Sequence, residues 1–219
     1  MIQLYYAPST AAMAPHILLE EIGLPFDQVL VDTAQGAHRT DAYRRLNPNG
    51  LVPVLVDGDL VLYESAAICL HLCDRHPQAG LAPAVGTHER AHFYKWLVWL
   101  TNTLQASLVV YFYPERWMDA GNPAGVAELQ ANAEARIGGL LDQLDTELVR
   151  LAQTQAQPWL LGANYSAVDA YALMLCRWTR HFSAPARGRA HLGPYLQRVL
   201  ARPAVQRVFQ SEGLAQPWV

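Results

Sequence analysis

The residues that could do chemistry fall into a few short clusters. Leu51-Val52-Pro53-Val54-Leu55 puts a proline where a strand begins, and proline cannot donate to a sheet ladder. Two readings fit. Pro53 either opens the strand in an ordinary trans form, or a cis Val52–Pro53 bond turns Val52 so that its N–H and C=O face an extended peptide ligand. Tyr63-Glu64-Ser65-Ala66-Ala67-Ile68 places Ser65 at an expected helix N-cap. There it either caps the helix and binds nothing, or joins the unpaired N–H groups of the first turn in holding a carboxylate. Cys69 and Cys73 share a helix face but read without a histidine ligand set, so they are expected as small buried hydrophobes and no metal is expected. Trp96, Trp99, Tyr111, Phe112, Tyr113 and Trp117 could line an apolar pocket or fill a core.

The elements that must position these clusters follow from periodicity and punctuation. Ile2 to Tyr6 reads as a buried strand, Met13 to Ile22 as a helix stopped by Gly23 and Pro25, and Asp27 to Val31 as a second strand. This is a βαβ unit, with a parallel pair expected. A short helical piece around Asp41 to Leu46 precedes the break at Asn47-Pro48-Asn49-Gly50. Val52 to Val56 and Leu60 to Leu62 then flank a tight Asp57-Gly58-Asp59 turn as a hairpin, and a helix follows Glu64-Ser65. The order is βαβαββα. Beyond Pro77, Gly80, Pro83 and Gly86 the pattern turns helical, near Glu89 to Tyr113 and again over Pro123 to Gln155. An α/β domain over residues 1–80 and an all-α domain over 87–219 are expected.

Composition bounds the class. The 219 residues are 52% hydrophobic and 16% charged, with 16 basic and 19 acidic side chains, which disfavours a disordered chain and a nucleic-acid partner. Pro, Gly or charge interrupts every apolar run before the roughly 18 residues of a membrane span, so no membrane partner is expected. Three cysteines, Cys69, Cys73 and Cys176, make no even disulfide framework, and no signal sequence precedes Ile2. A reducing cytoplasm fits.

Taken together, the Val52-Pro53 step and the Glu64-Ser65 helix start, joined by a short hairpin after a βαβ opening, resemble the thioredoxin-like domain of the cytosolic glutathione transferases. Tyr5-Tyr6-Ala7-Pro8-Ser9-Thr10 looks like that family's first strand and catalytic turn, and Asn47 to Pro53 matches its pre-strand signature. Ser166-Ala167-Val168-Asp169-Ala170 resembles its helical capping box, so the resemblance covers essentially the whole chain and is greatest to bacterial beta-like, delta-like and theta-like members.

The resemblance implies a detoxifying transferase that uses glutathione as co-substrate, and a homodimer. It implies that Leu51, Val52 and Pro53 meet the cysteinyl unit of glutathione, Glu64 and Ser65 its γ-glutamyl end, and Gln35 or His38 its glycyl carboxylate. Tyr111 and Tyr113 would line the electrophile pocket. The family's turn carries a cysteine or a serine. Ala11 and Ala12 have neither group, so Thr10 first and Ser9 second are the expected hydroxyl donors to the thiolate. Tyr5 and Tyr6 face opposite ways from one strand, so at most one could compete. A catalytically silent glutathione-binding or scaffolding relative is the alternative.

Overall fold

A computed structural model describes residues 1–219. In chain order the elements are β1 (Ile2–Tyr6), α1 (Met13–Ile22), β2 (Phe26–Leu30), α2 (Asp41–Arg44), β3 (Val54–Asp57), β4 (Leu60–Tyr63), α3 (Ser65–Arg75), α4 (His88–Trp99), α5 (Ala106–Phe112), α6 (Pro123–Ala152), α7 (Ala167–Trp178), α8 (Leu192–Leu200) and α9 (Pro203–Ser211). The first seven have the expected βαβαββα order, and β1 and α1 have the expected bounds. β2 starts one residue earlier than expected. β3 starts at Val54, leaving Leu51, Val52 and Pro53 outside the ladder.

The chain divides into two compact units, Met1–Val85 with Leu200–Ala215, and Gly86–Val199 with Gln216–Val219. The expected helical domain therefore loses α9 to the first unit. The cause is the apolar face of α9: Ala204, Val205, Val208 and Phe209 are buried, and the helix packs on α1. Arg202 pairs with Glu21, and Arg207 with Glu20, along the same seam.

In the first unit the four strands run in the order β2-β1-β3-β4. β1 pairs parallel with β2 across the α1 crossover, as expected, and antiparallel with β3. Leu4, Val54 and Leu55 are buried on the sheet, and Met13, Ile17, Leu18 and Leu19 on α1. Gly23 ends α1 in the left-handed region (φ 74°), its N–H donating to the Leu19 carbonyl. The β3–β4 hairpin turns on Gly58 and Asp59, with Gly58 at φ 61° in the first central position, where a side chain would be strained.

The second unit is helical throughout. α4 and α5 form one run broken only by a wider π-helical stretch, Leu100–Gln105, whose Gln105 Oε1 accepts the Tyr171 hydroxyl at 2.6 Å. All but the last residue of α7 are buried, and Ser166 and Asp169 make the expected capping box. Asp169 also accepts the Leu160 N–H (2.9 Å) and the Tyr195 hydroxyl (2.8 Å), so one fully buried carboxylate ties three segments together. No helix is long and apolar enough to cross a membrane.

Candidate active site

The site is built on the turn between β1 and α1. Its Thr10 hydroxyl donates to the Ala7 carbonyl at 2.6 Å and accepts the Ala12 N–H at 3.3 Å, closing the turn on itself. A hydroxyl has one proton. Thr10, the first-choice donor, points that proton at the Ala7 carbonyl. Ser9 is half-buried and its hydroxyl makes no hydrogen bond within the chain. Its backbone is unusual. Ser9 (φ 62°) and Glu64 (φ 73°) are the only non-glycine residues in the left-handed region, where a conformation of this kind costs about 1–3 kcal/mol.

The N–H of Ser9 is satisfied by a residue far along the chain. Glu212 accepts it through Oε2 at 2.9 Å, while Oε1 accepts the Nδ1–H of His16 at 2.9 Å. Gln28 in turn donates its Nε2–H to His16 Nε2 at 3.0 Å, which assigns the histidine proton to Nδ1. The side chains of His16 and Glu212 are both fully buried. Neither residue stands out in the sequence as a candidate. The available signals were a histidine inside an apolar helix run and a glutamate next to the helix-ending Gly213.

The start of α3 meets the same turn. Ser65 is the first residue of α3, and Glu64 occupies the N-cap with no side-chain cap bond. Ser65 is therefore not the expected N-cap. Glu64 turns through positive φ, and the buried Ser65 hydroxyl instead donates to the Ala11 carbonyl at 3.0 Å. Helix α3 thus presents its unpaired first-turn N–H groups, which favour an anion, beside the β1–α1 turn. The Glu64 carboxylate is exposed.

The third part precedes β3. The Val52–Pro53 bond is cis, and Pro53 is buried. Both lone-pair positions of the Leu51 carbonyl are taken, by the Tyr43 hydroxyl and the Asn47 side-chain amide, each at 2.8 Å. Leu51 therefore offers its exposed side chain, while Val52 contributes no backbone pair to the sheet. Gly50 has φ 63°, and a Cβ there would stand 3.0 Å from the His38 carbonyl, so the chain needs glycine to bring this loop against His38. His38 sits in the turn Ala37–Arg39, with Nε2 accepting from Arg39 at 3.2 Å. Gln35 is exposed, its backbone N–H donating to Asp32 at 3.0 Å, and nothing ties its side chain to the other candidates.

Tyr5 and Tyr6 diverge as alternation requires. Tyr5 packs among Val31, Tyr43 and Val54. The Tyr6 ring lies 6.0 Å from His16. Burial, and then the Glu212 carboxylate, push the Tyr6 phenol above its usual range, so it stays neutral at physiological pH. In the second unit Tyr111 packs 4.2 Å, centroid to centroid, from Phe182, and Tyr113 is largely exposed under the Arg116 guanidinium. Cys69 is buried, and burial followed by its neighbour Cys73 raises its thiol well above the usual range, so it is inert.

Comparison with known proteins decides the family. Residues 8–75 match the profile described as the glutathione S-transferase N-terminal domain. Glutathione S-transferase 3 of Zea mays is 31% identical over 91% of this chain and 89% of its own. The chain belongs to the glutathione S-transferase family. Glutathione S-transferase GST-4.5 of Xanthomonas campestris pv. campestris is 29% identical, with 97% of this chain and all of the relative covered. Among solved structures, a sphingomonad glutathione S-transferase complexed with glutathione is 30% identical, covers 97% of this chain and all of its own, and superposes with a TM-score of 0.81. In this glutathione S-transferase the turn carries Ala11 and Ala12, with no thiol among its residues.

Proposed function

We propose that this protein binds glutathione on its first unit and conjugates the glutathione sulfur to a small hydrophobic electrophile. The observation that carries the reading is the bond from Ser65 Oγ to the Ala11 carbonyl, which joins the hydroxyl-bearing turn to the N-terminus of α3. A ligand spanning the two would set a thiol at one end against hydroxyls and a carboxylate at the other against helix N–H groups. Glutathione carries both groups. The sphingomonad relative described as complexed with glutathione supports the choice.

In this reading the first-turn N–H groups of α3, that of Ser65 included, receive the γ-glutamyl carboxylate while the Ser65 hydroxyl stays on the Ala11 carbonyl, and exposed Glu64 receives its ammonium. The backbone of Val52, beside Leu51 and Pro53, pairs with the cysteinyl unit. His38 or Gln35 meets the glycyl carboxylate. Ser9 donates its hydroxyl to the sulfur and Thr10 holds the turn, while the N-terminus of α1 adds its dipole. The thiol proton leaves to solvent. The thiolate then forms a carbon–sulfur bond as the electrophile's leaving group departs with its electron pair. Tyr111 and Tyr113 are the proposed electrophile contacts in the second unit. The protein acts as a homodimer in the cytoplasm.

The loss of the cysteine and the engaged Thr10 hydroxyl favour one competing reading, a catalytically silent glutathione binder. Retention on glutathione-agarose with elution by free glutathione tests binding. Conjugation of a generic aryl halide tests catalysis: retention without conjugation means the silent reading, and failure of both removes the proposal.

A further inference from the structure

Glu212 sits where an isolated carboxylate should not. It is the C-cap of α9, at the negative end of the helix dipole, and its side chain is fully buried. The helix end fixes it there. The Leu214 N–H donates to the Phe209 carbonyl (2.9 Å) and the Gly213 N–H to the Gln210 carbonyl (3.1 Å), with Gly213 at φ 62°, a Schellman closure that holds the backbone on both sides of Glu212. The two Glu212 oxygens then divide their work between His16 Nδ1–H and the Ser9 N–H, each at 2.9 Å. A buried carboxylate with this cost is retained only where both donors meet it. One of those donors is the backbone of a serine held in the left-handed region.

Resting on the glutathione reading above, we propose that Glu212 is a positioning residue: its carboxylate holds Ser9 in the left-handed turn and so aims the Ser9 hydroxyl at the glutathione sulfur. His16 acts behind it. Clamped between Gln28 and Glu212, the imidazole keeps the carboxylate from turning away from Ser9. The catalytic turn is thereby braced by a segment more than 200 residues away in sequence, which the packing of α9 on α1 brings beside it.

The test compares full-length wild type, Glu212→Ala and Glu212→Gln by three measurements. These are calorimetric glutathione affinity, exchange of the Ser9 amide proton followed by NMR, and the pH titration of the ultraviolet thiolate band of bound glutathione. Glutamine keeps an oxygen for the Ser9 N–H once His16 takes the Nε2–H tautomer and the Gln28 amide turns over to accept from it, whereas alanine keeps none. The expected result is Ser9 exchange at least about tenfold faster in Glu212→Ala, with the bound thiol titrating about one unit higher, and both restored for the most part in Glu212→Gln. If Glu212→Ala does not fold, Glu212→Asp, which keeps the charge but not the reach, carries the same expectation. Unchanged Ser9 exchange overturns the hold of Glu212 on the turn. Faster exchange with an unchanged thiol titration overturns its role in aiming the hydroxyl. If wild type binds no glutathione, the functional reading fails and takes this inference with it; the first two outcomes leave glutathione binding intact.

Discussion

Ser9 and Thr10 carry one hydroxyl each on adjacent residues, and the turn uses them for different purposes. The Thr10 proton closes the turn on Ala7, so Thr10→Ala should loosen the turn, lower stability by about 1 kcal/mol and leave the thiolate titration nearly in place. Ser9→Ala should raise the bound thiol by one to two units, which corresponds to about 1.5–3 kcal/mol for a hydrogen bond to a charged group. The same thiolate band measures both variants, and a shift in Thr10→Ala with none in Ser9→Ala would restore Thr10 as the donor. Ser65→Ala removes the bond to Ala11 at the anion end, and glutathione affinity should fall about tenfold. Unchanged calorimetric affinity in that variant would remove the γ-glutamyl end from α3.

At the scale of elements, two carboxylates in the second unit act on helix starts in different environments. Asp169 is fully buried and accepts from Leu160, Ser166 and Tyr195. Asp169→Ala strands those donors in the core, with an expected loss of at least about 3 kcal/mol and a melting point lower by roughly 10 °C. A loss below about 1 kcal/mol would show that water replaces the carboxylate. Asp145 accepts the N–H groups of His191 (2.8 Å) and Leu192 (2.7 Å) at the start of α8. Partial burial pushes its carboxyl up, but these N–H bonds and the His191 side chain outweigh burial and hold it below the usual 3.8. A carboxyl lowered in the folded state contributes stability fully above its unfolded value, and that contribution is lost as pH falls through the folded value. Denaturant titrations should therefore show a gap between wild type and Asp145→Ala that is constant at neutral pH and narrows only below about pH 4. A gap that widens on acidification contradicts the assignment.

For the whole molecule the expected assembly is a homodimer. Read as halves, residues 1–80 carry 4 basic and 9 acidic side chains and residues 81–219 carry 12 and 10. Assigning Arg202, Arg207 and Glu212 to the first unit leaves 6 basic and 10 acidic groups there, against 10 and 9 in the second. The contrast drops from −5 and +2 to −4 and +1. Opposite signs still favour contact between the first unit of one copy and the second unit of another, but less strongly. Sedimentation at micromolar concentration should give twice the mass of the 24.3 kDa chain, and a monomer would refute the assembly.

What the sequence determined by itself was local. Gly23 after an apolar helix run and Gly58 in a two-residue hairpin turn each act within a few residues, so the order of the first seven elements and the hairpin were legible from spacing, and the capping box of Ser166 and Asp169 from its family resemblance. The two candidate segments, around Val52 and around Glu64, were legible for the same reason. Only the tertiary structure decided how they work. Ser9 and Thr10 look alike in sequence, and which proton is free depends on where the Ala7 carbonyl points. Ser65 reads as a cap until the turn at Glu64 sends its hydroxyl to Ala11, 54 residues away. The periodicity of Pro203 to Ser211 says that one face is buried and not against what, so the packing of α9 on α1 lay beyond local rules. The contact of Glu212 with Ser9 and His16 did too, because a partner 203 residues distant leaves no trace in the neighbourhood of either.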